Sequence, residues 1–490
     1  MSSADRQTIA RGAGLTLPGT LIGNMLLLGL DFYLNHRLST ADYGAWGSIR
    51  RLLTLLGLVG MLGMENALLK RIASGDPAAP VLRTALGAAV GCSGILALGL
   101  SLGAGPLGGW LGSASYAPVL LICAFTLPLS AVRLLSVTLS QSYKAVGDRV
   151  LVMFLLWPLA QFLMLFLWPN TGIQGAAIAY TAAMALGAGV AVGLSGRVQP
   201  GAWSGVFQRS GPPLPLSELL LFSWPLWLQA VLAGGYGYLD QLLLAGLRSP
   251  EAAGIYGPVA TLAPLFGLGL ASLNSIFAPI IAEKYAKQDR AALANLYRTV
   301  TRWALLLSLP PLLVAGLLPG VVIDLWPNGR AEAAPALQIL CLSWLVCTAV
   351  GSVNYLLIMS GHSRATLWNS LPAMLLNLSL SVALAPTLGP TGAALANAGA
   401  MATANAVGLA QVWRILRLHP FHIGLVKPVL AAVPAGAVVW AVGMLQLPAL
   451  PTVLLAGVGG GLTLLGVLPL LGLDEDDREL IQKLLRRFRR

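Results

Sequence analysis

The sequence predicts an all-α polytopic membrane protein with fourteen transmembrane helices, organised as two six-helix lobes around a central cavity plus two extra C-terminal helices. Three observations predict this fold class. Only 10% of the 490 residues are charged and 57% are hydrophobic, whereas soluble proteins carry about 25% charged residues. Apolar runs long enough to cross about 30 Å of hydrocarbon recur from end to end. The two halves of the chain also resemble each other.

The spans are assigned from the apolar runs between short polar loops. The loops on the predicted outer side are all short, so we expect no soluble domain there. The fourteen spans are 13–35, 45–68, 81–103, 117–143, 149–169, 172–194, 217–246, 256–281, 302–320, 333–360, 364–387, 390–412, 425–447 and 450–472.

The orientation follows from the basic residues. Of the 30 lysines and arginines, 24 lie in the termini and the loops on the same side. Three others lie in loops on the opposite side, at Arg37, Arg248 and Arg330. Because basic loops stay in the cytoplasm, both termini are predicted to be cytoplasmic. The same distribution explains the net charge of +12, and we therefore expect no nucleic-acid partner.

An internal repeat relates the two halves. GIQGAAIAYTAAMA from Gly172 and GPTGAALANAGAMA from Gly389 are identical at eight of fourteen positions. Tyr43-Gly44 and Tyr256-Gly257 are further landmarks at a similar offset, and Leu30-Asp31 matches Leu239-Asp240. Each repeat has an even number of spans, so the repeats are parallel, as in transporters whose lobes alternate in access.

The repeat sets the predicted domain boundaries. The last two spans and the tail lie outside it. The predicted segments are an N-terminal lobe (1–194), a cytoplasmic linker (195–216), a C-terminal lobe (217–415), spans 13 and 14 (416–473) and a cytoplasmic amphipathic tail (474–490).

Two segments carry a family resemblance. RLSTADYGAWGSIRRLLTLLGLVGMLGMENALLKRIA at 37–73 and YLDQLLLAGLRSPEAAGIYG at 238–257, with the two glycine-led segments of the repeat, resemble the polysaccharide flippases of the multidrug/oligosaccharidyl-lipid/polysaccharide exporter superfamily. The resemblance covers about residues 10–415.

The resemblance implies a function in the bacterial inner membrane. Flippases of this kind move an undecaprenyl-pyrophosphate-linked oligosaccharide repeat unit from the inner to the outer leaflet by alternating access. A cation-coupled multidrug antiporter and a peptidoglycan-precursor flippase of the same superfamily are the alternatives. It implies no enzymatic activity and no cofactor beyond a Na⁺ or H⁺ coupling ion. Membrane lipids and the polysaccharide polymerase machinery are the expected partners of a monomer.

Charged residues inside spans are candidates for function, because burying them in lipid is costly. On a continuous helix, Arg50, Arg51, Thr54 and Glu65 share one arc of span 2. Arg50 and Arg51 either bind the pyrophosphate of the substrate or reach the outer headgroups. Thr54 and Glu65 are predicted to line the cavity.

Arg133 lies midway along span 4, where it cannot easily reach a headgroup. Thr126 and Ser140 share its face at seven-residue spacing. We predict that Arg133 binds pyrophosphate, since a guanidinium fork matches phosphate oxygens, and that both hydroxyl groups line the cavity. The repeat places Cys347 at the equivalent position, so only the N-terminal lobe carries this charge.

Two carboxylates are candidates for ion coupling. Asp31 follows Asn24 by seven residues on span 1, and Asp240 shares a face with Gln229 on span 7. A carboxylate near an amide is a plausible site for Na⁺ or H⁺. Alternatively, each acid pairs with an arginine or caps a helix end. The cysteines match no metal motif, and no metal site or catalytic residue is predicted.

Overall fold

The computed structural model describes residues 3–167, 172–208, 214–327 and 330–472, with side chains of the first helix from Pro18 onward. Every regular element in these ranges is helical, which agrees with the predicted all-α fold class. The amphipathic tail predicted at 474–490 lies outside the described residues.

The described helices up to the middle of the chain include nine of 10 residues or more. They are α1 (Ser3–Arg37), α2 (Thr40–Met61), α3 (Met64–Ala73), α4 (Ala78–Leu102), α5 (Ala104–Trp110), α6 (Ala117–Ala124), α7 (Thr126–Ser142), α8 (Val146–Val150), α9 (Trp157–Leu167), α10 (Gly172–Val198), α11 (Pro200–Phe207), α12 (Leu216–Leu247) and α13 (Pro250–Leu262).

The remaining helices follow the same pattern of long and short segments. They are α14 (Leu268–Ala286), α15 (Arg290–Leu317), α16 (Pro319–Ile323), α17 (Ala334–Val350), α18 (Val353–Met359), α19 (Leu367–Leu388), α20 (Pro390–Leu416), α21 (Val426–Gly443) and α22 (Ala449–Val467).

Eleven helical segments are long and apolar enough to cross a membrane, and the bent pair of α2 and α3 makes a twelfth. The predicted count of fourteen is therefore not confirmed. The two predicted spans missing from this set are 13–35 and 390–412. The second forms α20, a continuous helix of 27 residues, and its two asparagines, Asn397 and Asn405, lower its hydropathy.

Span 2 is broken, contrary to the prediction of one continuous helix. Leu62 and Gly63 adopt left-handed φ angles of 51° and 70°, and α3 leaves α2 at 45°. The side chains of α12 satisfy the carbonyl groups at this break. Ser223 Oγ donates to Leu62 O at 3.2 Å, and Trp227 Nε1 donates to two further carbonyls of α2 at 3.1 and 3.2 Å. The break is thus a stabilised feature of the helix.

The backbone reproduces the internal repeat. Gly172 and Gly389, which lead α10 and α20, have φ angles of 56° and 58°, and only glycine adopts such angles without strain. Gly75 and Gln288, at an offset of 213, also have positive φ, at 98° and 55°. Each of these two residues ends the turn after an equivalent helix. The repeat inferred from sequence is therefore present in local conformation as well.

The chain divides into two compact units, Met1–Gly257 and Pro258–Arg490. The first unit contains the first six predicted spans together with α12 and the first part of α13. One of its apolar cores joins α3, α4 and α7, with fully buried residues such as Met64, Leu82 and Leu135. The second unit has separate cores around α15, one with α18 and α20 and one with α21 and α22. The lobe boundary predicted at 195–216 stays a prediction.

Candidate functional site

The first charged group of the site joins α1 and α2. Asp31 on α1 is only 1% exposed, and Arg50 on α2 forms a salt bridge with it, Nη2 to Oδ1, at 3.0 Å. The hydroxyl of Tyr43 donates to the other carboxylate oxygen at 2.6 Å. The guanidinium of Arg50 also lies 5.9 Å from the ring centre of Trp46. Asp31 is therefore a buried carboxylate whose charge is balanced by an arginine.

The second group repeats this arrangement with residues of α12 and α13. Tyr256 donates its hydroxyl proton to Asp240 Oδ2 at 2.7 Å, and the backbone N–H of Gln241 donates to Oδ1 at 2.8 Å. Arg51 Nη1 lies 3.8 Å from Asp240 Oδ1. Its Nε donates to the side-chain oxygen of Gln241.

The two aspartates and the two tyrosines are the landmarks that the sequence repeat paired. Both repeats thus build the same aspartate–tyrosine hydrogen bond, but both arginines come from one helix of the first repeat. In the structure, Asp31 and Asp240 each lie within salt-bridge distance of an arginine. The roles of these four groups in pyrophosphate binding and in ion coupling stay predictions.

A close crossing of helices brings the two groups together. A Cβ atom at Gly44 of α2 would overlap backbone atoms of Pro250 and Gly254, and one at Gly254 would overlap the carbonyl oxygen of Thr40. Glycine at both positions allows the backbones of α2 and α13 to touch. Ser48 adds a hydrogen bond from its hydroxyl to Gln241 O at 3.3 Å. Direct backbone contact therefore joins α2 to α13 beside the two aspartates.

Arg133 differs from the other two arginines. It lies on α7, and its Nε and Nη1 are buried with no hydrogen-bond partner among the described residues. Its guanidinium lies 5.5 Å from the ring centre of Trp157. A side chain at Gly187 would come within 3.2 Å of Arg133 Cδ, so this glycine of α10 makes room for the arginine. Arg133 therefore carries a positive charge, and two of its donor nitrogens have no acceptor among the described residues.

Three aromatic rings connect Arg133 to Arg50. Tyr180 of α10 packs edge-on against Trp157 and against Trp46, with ring centres 5.6 Å apart in both cases. Sequence reasoning did not select these rings. One signal was present, since Trp46 follows the Tyr43-Gly44 pair of the repeat closely in the sequence.

The three rings and the arginines at either end form one wall of the site. The polar atoms along this wall that have no partner among the described residues are hydrogen-bond donors. Within the described part of the chain, no hydrogen-bond partner is present for the buried Nε of Arg50, the indole N–H groups of Trp46 and Trp157, or Nε2 of Gln161. Gln161 lies one helical turn after Trp157 on α9. A buried N–H group without an acceptor costs about 1–3 kcal/mol. The wall is thus suited to a ligand rich in acceptor atoms, such as an anion.

The local backbone sets the position of Trp157. The preceding residues, Leu151–Leu156, form a π-helical turn, and Pro158 follows directly. Proline lacks an N–H group and its ring clashes with the carbonyl four residues earlier, here that of Phe154. A widened turn relieves this clash, and such turns are common at functional sites.

The other predicted cavity residues occupy different environments. Thr54 is exposed and donates to Arg50 O at 2.9 Å, while Thr126 is buried and donates to Cys123 O at 2.5 Å. Ser140 is fully buried, and its hydroxyl has no partner among the described residues. Of these three hydroxyl-bearing residues, only Thr54 is exposed.

Glu65 does not share a helix with Arg51, because the break at Leu62 and Gly63 places it on α3. Its carboxylate interacts electrostatically with Arg149, and one oxygen accepts a hydrogen bond from Asn66 Nδ2 at 3.1 Å. The predicted single polar face of span 2 is therefore wrong at Glu65, since the left-handed residues change the helix direction.

The amides predicted beside the carboxylates are not bound to them in the described contacts. Asn24 donates from Nδ2 to Thr20 O, one turn earlier in its own helix, at 2.8 Å. Gln229 is half-buried on α12. Across the described ranges, no group of three or more His, Cys, Asp and Glu side chains could hold a metal ion.

Comparison with protein families gives one match. The family model described as "Polysaccharide biosynthesis protein" matches residues 9–285, which is more than half of the chain. None of the curated proteins compared with the sequence matches it.

Solved structures of transporters share the fold. A structure of the lipid II flippase MurJ in an inward closed conformation has a TM-score of 0.73 and 13% sequence identity, with 92% of this chain and 97% of that chain covered. An inward-facing multidrug resistance MATE family transporter of the MOP superfamily has a TM-score of 0.65 and 14% identity, covering 80% and 95%. A MOP superfamily transporter from Pyrococcus furiosus has a TM-score of 0.58 and 13% identity, covering 84% and 96%. At these identities the likeness shows the fold alone.

Proposed function

This chain belongs to the polysaccharide biosynthesis protein family, and from that premise we propose that it is a flippase for an undecaprenyl-pyrophosphate-linked oligosaccharide repeat unit. It moves this lipid from the inner to the outer leaflet of the bacterial inner membrane by alternating access. Its product serves the synthesis of an exopolysaccharide, O-antigen or capsule. Translocation needs binding and a conformational change, so no catalytic residue is assigned.

One observation carries the proposal: Arg133 is a half-buried arginine whose Nε and Nη1 are buried and have no hydrogen-bond partner among the described residues. The two nearest in-span arginines are balanced by Asp31 and Asp240, so the positive charge of this region rests on Arg133. A pyrophosphate offers only acceptor oxygens, and charge-assisted bonds from a guanidinium are about twice as strong as neutral ones. The indole N–H groups of Trp46 and Trp157 supply further donors on the same wall.

The drug antiporter is the weaker alternative. A site for an organic cation needs a carboxylate whose charge is open to the ligand. Asp31 and Asp240 each hold a tyrosine hydroxyl and an arginine, so neither charge is open in this conformation. A flippase for a peptidoglycan precursor uses the same pyrophosphate and the same donors, and only the glycan distinguishes it.

The proposal includes coupling of transport to Na⁺ or H⁺, with Asp31 and Asp240 as the coupling carboxylates. Release of Asp31 or Asp240 from its arginine during the transport cycle would leave a buried anion, which takes up a cation readily. Both termini lie in the cytoplasm in this scheme. The protein works as a monomer beside the polysaccharide polymerase machinery.

Deleting the gene tests the proposed function. We expect the lipid-linked repeat unit to accumulate on the inner leaflet and the surface polysaccharide to disappear. Complementation with Arg133→Ala should fail to restore export, while Arg37→Ala, at an exposed arginine of the first outer loop, should restore it. Membrane abundance of each variant is measured in parallel.

Two outcomes would contradict the proposal. Normal export by an abundant Arg133→Ala variant would show that the pyrophosphate does not depend on Arg133. Accumulation of a drug, or of the peptidoglycan precursor, in the deletion strain would assign the chain to one of the alternatives.

A further inference from the structure

A pocket of about 490 Å³ lies where the turn between α14 and α15 meets the end of α20, within the second unit. One side carries charged and polar residues and the other side is apolar. The lining includes Lys284, Tyr285, Asp289, Arg290, Ile415 and Leu416. Sequence reasoning placed this turn on the cytoplasmic side, because its lysines and arginines follow the rule for cytoplasmic loops.

The charges of the pocket leave an excess of positive charge. Arg290 Nη2 donates to the carbonyl oxygen of Leu416 at 3.0 Å, and no described carboxylate forms a salt bridge with it. Asp289 caps α15 by accepting from Ala292 N at 3.0 Å. It also lies 3.9 Å from Lys284 Nζ, so one carboxylate faces two cations.

Two further arginines extend this positive surface. Arg414 and Arg417 flank the wall residues Ile415 and Leu416, and both are exposed. Neither forms a salt bridge with any carboxylate in the described ranges. Glu283 is the other acid nearby, and its oxygen accepts from Lys287 Nζ at 2.6 Å. That hydrogen bond lowers the pKa of Glu283, so this pair balances itself outside the pocket.

The first unit contains the turn that the repeat relates to the α14–α15 turn, here called the corner at Arg71. Its charges differ from those of the α14–α15 turn. A pocket of about 380 Å³ there is lined by Lys70 and Arg71, at the positions equivalent to the α14–α15 turn. Arg71 is bound by two carboxylates, Asp76 at 3.2 Å and Glu218. Lys70 lies 3.7 Å from the ring centre of Phe222. The same turn is thus neutralised in one unit and left positive in the other.

Exposed apolar side chains lie beside the positive pocket. Tyr285 and Ile415 of its wall are 38% and 40% exposed, and Trp413 is 54% exposed. Aromatic side chains of this kind are enriched at the level of lipid headgroups. A ligand with an anionic head and an apolar body would therefore contact both halves of the pocket.

We propose that this pocket binds the headgroup of an anionic phospholipid of the inner leaflet, with Arg290 and Lys284 on the phosphate and Ile415 against the acyl chains. Basic pockets between helices on the cytoplasmic side bind such headgroups. The site is separate from the arginines of the first unit and does not depend on which substrate is transported. The neutralised corner at Arg71 binds no such lipid.

Native mass spectrometry of the full-length protein in neutral detergent tests the proposal. The protein is titrated with dioleoyl-phosphatidylglycerol and, in parallel, with dioleoyl-phosphatidylcholine. We expect selective binding of the first lipid. Its affinity should fall about fivefold for each cation lost, and about thirtyfold in the double variant Lys284→Gln/Arg290→Gln.

The matched control is Lys287→Gln, which makes the same change of charge on the same turn but outside the pocket. It should leave binding unchanged. Because Arg290 also holds the end of α20, Lys284→Gln alone provides a second test at a pocket residue without this structural bond, with an expected loss of about fivefold. Thermal unfolding of each variant shows whether it is folded.

Three results would overturn the proposal. Equal binding of the two lipids would remove the anionic selectivity. An equal loss in Lys287→Gln and in Lys284→Gln/Arg290→Gln would show a general surface effect. Displacement of phosphatidylglycerol by soluble glycerol phosphate at the same concentration would show a site for free phosphate, with no part for the acyl chains.

Discussion

Breaking the salt bridge between Arg50 and Asp31 should destabilise the protein strongly. Removing one partner of a buried pair costs about 3–5 kcal/mol, because the other charge stays buried alone. The Arg50 side chain is 25% exposed and that of Asp31 is 2% exposed, and Tyr43 keeps its hydrogen bond to Asp31. We therefore expect Arg50→Gln to cost less than a fully buried pair would, about 2–3 kcal/mol. Asp31→Asn should cost less still, since it leaves the charge on the more exposed partner.

A double-mutant cycle measures this interaction. The variants are Arg50→Gln, Asp31→Asn and the combination, and the measured quantity is the free energy of unfolding in mixed micelles titrated with SDS. The combined variant should be more stable than the sum of the single losses predicts, by about 1–3 kcal/mol. The matched cycle of Arg51→Gln with Asp240→Asn should give a smaller coupling, since those groups are 3.8 Å apart. Additive losses in the first cycle, or a larger coupling in the second, would refute the reasoning.

Three further predictions concern other parts of the first unit. Gly254→Ala should reduce membrane abundance several-fold, because the added Cβ overlaps the carbonyl of Thr40, whereas Gly29→Ala, which meets nothing within 4 Å, should be neutral; immunoblotting of membranes compares them. Trp227→Phe removes the indole donor at the break in span 2 and should lower the free energy of unfolding by about 1 kcal/mol. A conservative substitution elsewhere on α12 should leave this free energy unchanged. Arg133→Lys should bind a pyrophosphate-bearing lipid about tenfold more weakly than the native protein in native mass spectrometry, since a point charge replaces a two-pronged donor; unchanged affinity would contradict the assigned geometry.

The fold class and the repeat could be predicted from sequence because both are properties of pattern. The low charge and the recurring apolar runs predict helices in lipid, which every regular element of the described chain bears out. The landmarks Asp31 and Asp240, found by register alone, turned out to hold the same tyrosine hydrogen bond in each repeat. The sequence repeat therefore identified the positions of two equivalent aspartate–tyrosine hydrogen bonds.

The partners of the arginines could not be predicted, because they depend on contacts between distant helices. Arg51 binds Gln241, which is 190 residues away along the chain, and no periodicity within span 2 contains that information. The break in span 2 was missed for a different reason. Leu62 carries a left-handed φ angle of 51°, which a leucine adopts only when tertiary contacts favour it.

The asymmetry between the repeats takes a different form from the one the sequence indicated. Counted in sequence, the first repeat has three in-span arginines and the second has none at the equivalent positions. In the structure, one helix supplies arginines to an aspartate from each repeat, so these two positive charges serve to hold helices together. The remaining unbalanced charge is Arg133, and substitutions should separate the two roles. Loss of Arg50 should reduce stability before it affects binding, whereas loss of Arg133 should weaken binding of a pyrophosphate lipid and leave stability unchanged or higher, because it removes a buried charge without a partner.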